Sequence, residues 1–106
     1  MDKEKLQGVA FEIILASGQG RTLIHEGFEL MRNGKYDEAE KKLDDAEEEI
    51  VKAHNAQTDL LQAYAGGEEF NVEIIMVHAQ DHLMTTMTLR EVALEMLAMY
   101  REFKSE

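Results

Sequence analysis

Apolar side chains recur every three or four positions from Asp2 to Arg32, at Leu6, Val9, Ala10, Ile13 and Ile14, then at Leu23, Ile24, Phe28 and Met31. That spacing lines one face of an α-helix, which repeats every ~3.6 residues. The two glycines of Ser17-Gly18-Gln19-Gly20 each cost a helix interior about 1 kcal/mol relative to alanine, so a kink or short break is expected there. Asn33-Gly34-Lys35 supplies a stop and a tight turn. A second helix is predicted to begin near Tyr36-Asp37, with Asp37, Glu38 and Glu40 favourably placed at the positive end of its dipole. It continues through Ala39, Leu43, Ala46, Ile50, Ala53, Leu60, Leu61 and Tyr64 to Gly66-Gly67. A third helix spans about Phe70 to Phe103.

Three long helices joined by two glycine-containing turns predict an all-α, up-down-up bundle with antiparallel neighbours, one domain over residues 1–106. The absence of proline leaves all three free of the strongest helix breaker. The third helix carries more apolar surface than such a bundle can cover. Over Val92-Ala93-Leu94-Glu95-Met96-Leu97-Ala98-Met99-Tyr100, apolar residues surround nearly the whole circumference. Two partner helices bury one side, and the remainder implies an oligomer in which copies of the third helix meet around an axis.

Charge narrows the partners. With 22 acidic against 11 basic residues and a net charge of -11, the surface repels a phosphate backbone, and nucleic acid is not expected. The run Asp44-Asp45-Ala46-Glu47-Glu48-Glu49 reads as a solvated face. No cysteine is present, which excludes disulfides and thiolate metal sites. No signal peptide or membrane span is read, so a soluble cytoplasmic protein without membrane insertion is expected.

Against this background Val77-His78-Ala79-Gln80-Asp81-His82-Leu83-Met84-Thr85 stands out as a polar cluster inside an apolar helix. Imidazole, carboxamide and carboxylate groups gathered within two turns need partners, and that demand often marks chemistry. His78 shares a helical surface with both Asp81 and His82, while those two diverge by roughly 100°. One can face a groove while another faces an axis. A His-Asp-His set can bind metal, but the Glu-x-x-His motifs of helical di-metal proteins are missing. There is no cysteine and no serine in a glycine-flanked elbow for a hydrolytic triad. Gly18-Gln19-Gly20 lacks the further glycine and lysine of a phosphate loop. Histidine as nucleophile remains: an imidazole nitrogen can attack a phosphoryl group and hold it as a labile phosphoramidate.

Two strings carry a family resemblance. Ala53-His54-Asn55-Ala56-Gln57-Thr58-Asp59-Leu60-Leu61 and, more specifically, His78-Ala79-Gln80-Asp81-His82-Leu83-Met84-Thr85 resemble the lactose/cellobiose-type enzyme IIA of the bacterial sugar phosphotransferase system. The likeness covers essentially the whole chain and its three-helix layout, with no departure at the key positions. It implies that His78 accepts a phosphoryl group from the histidine phosphocarrier protein and passes it to a cysteine of enzyme IIB. That transfer serves uptake and phosphorylation of a lactose-, cellobiose- or chitobiose-type sugar. It also implies a homotrimer in which Asp81 of each chain meets its copies near the threefold axis around a divalent metal ion. Three like charges brought together repel, so a hard cation such as Mg2+ or retained protons must relieve them, and the metal is taken as structural.

Gln80 and His82 are candidate neighbours of the phosphoryl group, with plain helix-surface roles as the alternative. His54 is expected in a buried polar network with Gln57 and Thr58, and His25 is taken as structural. The methionines Met76, Met84, Met87, Met96 and Met99 read most simply as core filler, with exposed ones available to partner proteins. Two other readings remain. Asn33-Gly34-Lys35-Tyr36-Asp37-Glu38-Ala39 resembles the turn and second helix of a tetratricopeptide repeat, which would make the chain an interaction module, although no second copy follows. A metal-dependent helical enzyme using His78, Asp81 and His82 is the other.

Overall fold

The computed structural model describes residues 1–104, which form three helices: α1 (Lys3–Arg32), α2 (Tyr36–Ala65) and α3 (Ile74–Lys104). Ser105 and Glu106, the last two residues of the expected 1–106 domain, lie outside the described residues. The molecule measures 56 × 20 × 18 Å, the proportions of helices about 45 Å long lying side by side. Among the described residues no helix is long and apolar enough to cross a membrane.

Local chemistry sets the helix ends. The Asp2 carboxylate accepts the Lys5 N–H at 2.7 Å, satisfying one of the unpaired donors at the start of α1. Both turns then close by the same device. Lys35 N–H reaches back to Leu30 O at 2.9 Å and Gly34 N–H to Met31 O at 3.1 Å. At the end of α2, Glu68 N–H reaches Ala63 O at 3.1 Å and Gly67 N–H reaches Tyr64 O at 3.0 Å. These are Schellman ends, and they need a residue at positive φ: Gly34 sits at 75° and Gly67 at 97°.

Cross-helix bonds fix the topology. Gln7 on α1 donates to Glu73, just before α3, at 3.4 Å, and Arg21 donates to Thr85 at 2.6 Å, so α1 and α3 run parallel. Gln57 donates to Gln80, and Arg101 to Asp37 at 2.8 Å, which sets α2 antiparallel to α3. The up-down-up order is as expected. At the far end Arg101 also donates to Glu40 at 3.0 Å. Those bonds, to Glu40 first and then Asp37, hold the guanidinium above its ordinary pKa.

The core follows the predicted spacing. α2 buries Ala39, Leu43, Ala46, Ile50, Ala53 and Leu60; α1 buries Leu6, Ala10, Ile13, Ile24 and Met31; α3 buries Ala79, Leu83, Thr86, Ala93 and Leu97. Small and large residues alternate along the buried line of α2, and small ones recur on that of α3, so helices interdigitate at short range.

Three expectations change. No break interrupts α1 at Ser17–Gly20. Gly20 is buried against α2, where a Cβ would lie 3.3 Å from Ile50 Cγ1 and 3.5 Å from the Ala46 carbonyl oxygen; this glycine permits close approach and does not end the helix. Helix α3 begins at Ile74 and not near Phe70. After the turn at Gly67 the chain must cross to the foot of α3, and half-buried Phe70 anchors that crossing while the Glu73 carbonyl accepts the first helical bonds, from Met76 at 3.0 Å and Val77 at 3.1 Å. The methionines are also not uniformly core: Met76 and Met87 are half-buried, and Met84, Met96 and Met99 are exposed.

Gly18, on the opposite side of α1 from the core, has nothing within 4 Å of a Cβ. Gly18→Ala should therefore raise stability by about 0.5–1 kcal/mol, whereas Gly20→Leu should lower it by about 1–3 kcal/mol through overpacking. Urea unfolding at one protein concentration measures both, and equal effects at the two positions would contradict the helix-contact account of Gly20.

Candidate functional site

The expected cluster lies on the first half of α3, and the helix period distributes its members. His78 and Asp81 are exposed, His82 is half-buried, and Gln80 is half-buried toward α2. The rings of His78 and His82 meet edge to face, centroids 6.0 Å apart and planes at 69°, as one-turn neighbours must. No hydrogen bond from the described residues engages either nitrogen of His78. That is the state a nucleophile needs: reachable, with a lone pair uncommitted.

His82 is held from behind. Its Nδ1 lies 3.4 Å from Thr86 Oγ1, and Thr86 is fully buried. Thr86 Oγ1 donates to the His82 carbonyl at 2.7 Å and receives Arg21 Nε at 3.2 Å. Thr85 Oγ1 donates to the Asp81 carbonyl at 2.8 Å and receives Arg21 Nη2 at 2.6 Å. Arg21 and Thr86 have no part in the sequence reading, and Thr85 enters it only as the end of the polar cluster, without a partner. Two adjacent threonines one turn beyond Asp81 and His82, in an otherwise apolar stretch, were the available signal.

Gln80 points away from His78. Its carboxamide pairs with Gln57 of α2, and its amide nitrogen lies 3.7 Å from Met76 Sδ. Within one chain the structure thus brings His82 to His78 and does not bring Gln80. The expected buried network around His54 is also absent: His54 is exposed, on the rim of a furrow with Met87 and Arg90, because Gln57 turns instead to Gln80. His25 is exposed, its ring 6.0 Å from that of Phe28.

Beside His82 a shallow groove of about 820 Å³ crosses the outer face of α1. It is lined by Ile14, Leu15, Gly18, Gln19, Thr22 and Leu23 of α1, with Glu49 of α2 and His82 of α3 at its borders. Phe11 and Leu15, one turn apart, are 61% and 64% exposed. An apolar surface of this kind next to a reachable imidazole fits a protein partner better than a small molecule.

The outer face of α3 carries exposed apolar side chains along its length, interspersed with Thr85, Thr88 and Glu95. Ile74, Val77, Met84, Met99 and Phe103 are between 50% and 86% exposed, and they lie within about 60° of the Asp81 direction around the helix. Asp81 sits in the middle of that stripe, and no hydrogen bond or ion pair from the described residues reaches its carboxylate. Among the described residues no three histidine or carboxylate groups gather in a metal-holding arrangement, so the His78, Asp81 and His82 of one chain do not make the metalloenzyme site weighed above. The hairpin read as repeat-like is α1–α2 of a closed bundle.

Residues 8–101 match the family described as PTS system, Lactose/Cellobiose specific IIA subunit. The lichenan-specific phosphotransferase enzyme IIA component of Bacillus subtilis (strain 168) is 43% identical over 103 residues, 97% of this chain and 94% of that protein. The crystal structure of PtcA from S. mutans superposes with a TM-score of 0.95 at 63% identity, over 95% of this chain and 99% of that one. A IIA(Chitobiose) chain, solved in complex with HPr from the Escherichia coli phosphotransferase system, superposes with a TM-score of 0.80 at 31% identity, over 98% of this chain and 99% of that one. On sequence and fold alike, this chain belongs to the lactose/cellobiose-specific IIA subunit family of the phosphotransferase system.

Proposed function

We propose that His78 is the residue on which this IIA subunit carries the phosphoryl group. The observation that carries the assignment is its exposed imidazole with both nitrogens unengaged, packed only against His82. In the transfer, one His78 nitrogen attacks phosphorus in line, the donor's phosphorus–nitrogen bond breaks, and the electron pair returns to the donor's imidazole. Onward transfer repeats the step with a cysteine thiolate of enzyme IIB as nucleophile and His78 as leaving group. The donor is the histidine phosphocarrier protein, the partner seen with the IIA(Chitobiose) chain. The reactions take place in the cytoplasm. The chain itself touches no sugar, and a sugar of the lactose, cellobiose or chitobiose type is selected by the membrane component.

Both partners dock on the α1 groove and the neighbouring face of α3, since Phe11 and Leu15 offer apolar contact within reach of the histidine pair. The protein acts as a homotrimer, with the apolar stripe of α3 facing the axis. Packed head to tail around that axis, the shoulder of α3 bearing His78 meets the opposite shoulder of the next copy, the one bearing Met84 and Gln80. That arrangement restores Gln80 to the phosphoryl site from a second chain. Asp81, on the midline of the stripe, would supply one carboxylate per chain, an all-oxygen set that suits a hard cation such as Mg2+. When bound, the cation neutralises carboxylates that otherwise repel across the axis.

Incubation with phosphorylated carrier protein should add one acid-labile phosphoryl group, read by mass, and His78→Ala should abolish it; labelling that persists in the variant would sink the assignment. Leu15→Asp should raise the apparent KM for the donor about tenfold, the effect of losing one apolar anchor, with unfolding unchanged. A chelator should weaken the wild-type trimer in sedimentation experiments, while Asp81→Asn should stay assembled without metal. A wild-type trimer indifferent to chelation would remove the cation from the proposal.

A further inference from the structure

Thr86 is the one fully buried side chain on α3 that carries a polar group, and three groups converge on its hydroxyl. A hydroxyl has one proton to give and two lone pairs. The His82 carbonyl lies 2.7 Å away and His82 Nδ1 lies 3.4 Å away, so the proton goes to the carbonyl, the shorter contact. The lone pairs then face two donors. One is Arg21 Nε, at 3.2 Å, which is always protonated. The other must be a protonated Nδ1 of His82, since an unprotonated Nδ1 would set lone pair against lone pair.

We infer that Thr86 and Arg21 are positioning residues that fix His82 as its Nδ1–H tautomer and leave Nε2 as the one ring nitrogen free for the site. Arg21 braces the turn twice, through Thr86 and through Thr85 at 2.6 Å, and the hydroxyl of Thr86 cannot swing round to donate to the ring without giving up its 2.7 Å bond to the His82 carbonyl and setting a lone pair against that oxygen. A nitrogen lone pair beside His78 favours, in turn, the His78 tautomer whose N–H is turned toward it, directly or across one water. The opposite nitrogen of His78 then keeps its lone pair for phosphorus. The logic is that of a histidine whose working nitrogen is set by the hydrogen bond at the other one. The inference rests on His78 being the phosphoryl acceptor, but its first link, the state of His82, can be read without any transfer.

The experiment is long-range 15N–1H correlation of the imidazole rings in the intact protein at about pH 8, where ordinary histidines are neutral, joined to transfer kinetics from phosphorylated carrier. Wild type should show His82 protonated at Nδ1. Thr86→Val, which keeps shape and removes the hydroxyl, should shift His82 toward the Nε2–H form and lower kcat about 10–100-fold with the KM for the donor unchanged; Thr86→Ser should restore both. Arg21→Met, half-buried on α1 and outside its buried apolar line, tests the same link from the other helix and should move the same ring signals. An Nε2–H tautomer in wild type, or ring signals unmoved in both Thr86→Val and Arg21→Met, would overturn the assignment of these two residues. Shifted ring signals with unchanged kcat would overturn the coupling to transfer. Persistence of labelling in His78→Ala would instead strike the acceptor assignment and leave the His82 signals to be judged separately.

Discussion

Helix α3 must satisfy two surfaces at once, and that constraint organises the molecule. Its inner line of Ala79, Leu83, Thr86, Ala93 and Leu97 fits between α1 and α2, where small residues let backbones approach closely. Its outer line, rich in apolar side chains, remains uncovered within one chain. An uncovered stripe of this length is unusual on a protein that works alone. His78 stands at the border between the two, on the shoulder that faces the α1 groove. A residue there is open to a docking protein, while its backbone belongs to a helix packed tightly along the whole bundle. In the proposed role of His78, precision and access, which usually oppose one another, are reconciled by a position at the edge of a rigid element and off any loop.

The polar groups of α3 divide between the same two tasks. On the α1 side, Arg21 crosses to the hydroxyls of Thr85 and Thr86 and braces the turn that carries Asp81 and His82. On the α2 side, the Gln57–Gln80 carboxamide pair does the equivalent work. Both braces join elements distant in sequence, so they hold the register of α3 against its neighbours where apolar packing alone would tolerate a sliding helix. The threonines themselves bond back to carbonyls of the preceding turn, which leaves their lone pairs directed outward to receive Arg21.

Much of this was legible in the sequence because it depends on local rules. Helix limits at Arg32, Tyr36 and Ala65 follow from glycines at positive φ, and the core of α2 follows from its three-four spacing. The excess apolar surface of α3 was equally visible, since a helix cannot bury its whole circumference against two others. What escaped was relational. A glycine that ends a helix and one that admits a neighbour look identical in a string, and only the position of Ile50 and Ala46 distinguishes Gly20 from Gly18. Gln57, His54 and Gln80 are all polar residues near helix faces, and which pair forms depends on the crossing of α2 and α3. Arg21 lies far from the histidines in sequence, so its link to them appears only when α1 and α3 run parallel. The apolar pattern puts the start of α3 near Phe70 because Phe70 fits it, although that side chain serves to anchor the crossing and the helix begins at Ile74.

Charge placement completes the picture of a carrier. The net charge of -11 leaves few cations, and the arginines in reach of α3 are committed: Arg21 to threonine hydroxyls, Arg90 to the Leu43 carbonyl and Glu47, Arg101 to Asp37 and Glu40. An enzyme that stabilises transferring phosphate in place surrounds it with such groups. A carrier has the opposite need, because each interaction that holds the phosphoryl group in the intermediate adds to the barrier for handing it on. Tying arginines to carbonyls, hydroxyls and carboxylates keeps their charge for the architecture. In the proposed role the phosphoryl group on His78 is then held chiefly by its one covalent bond, on an acidic surface that favours its departure.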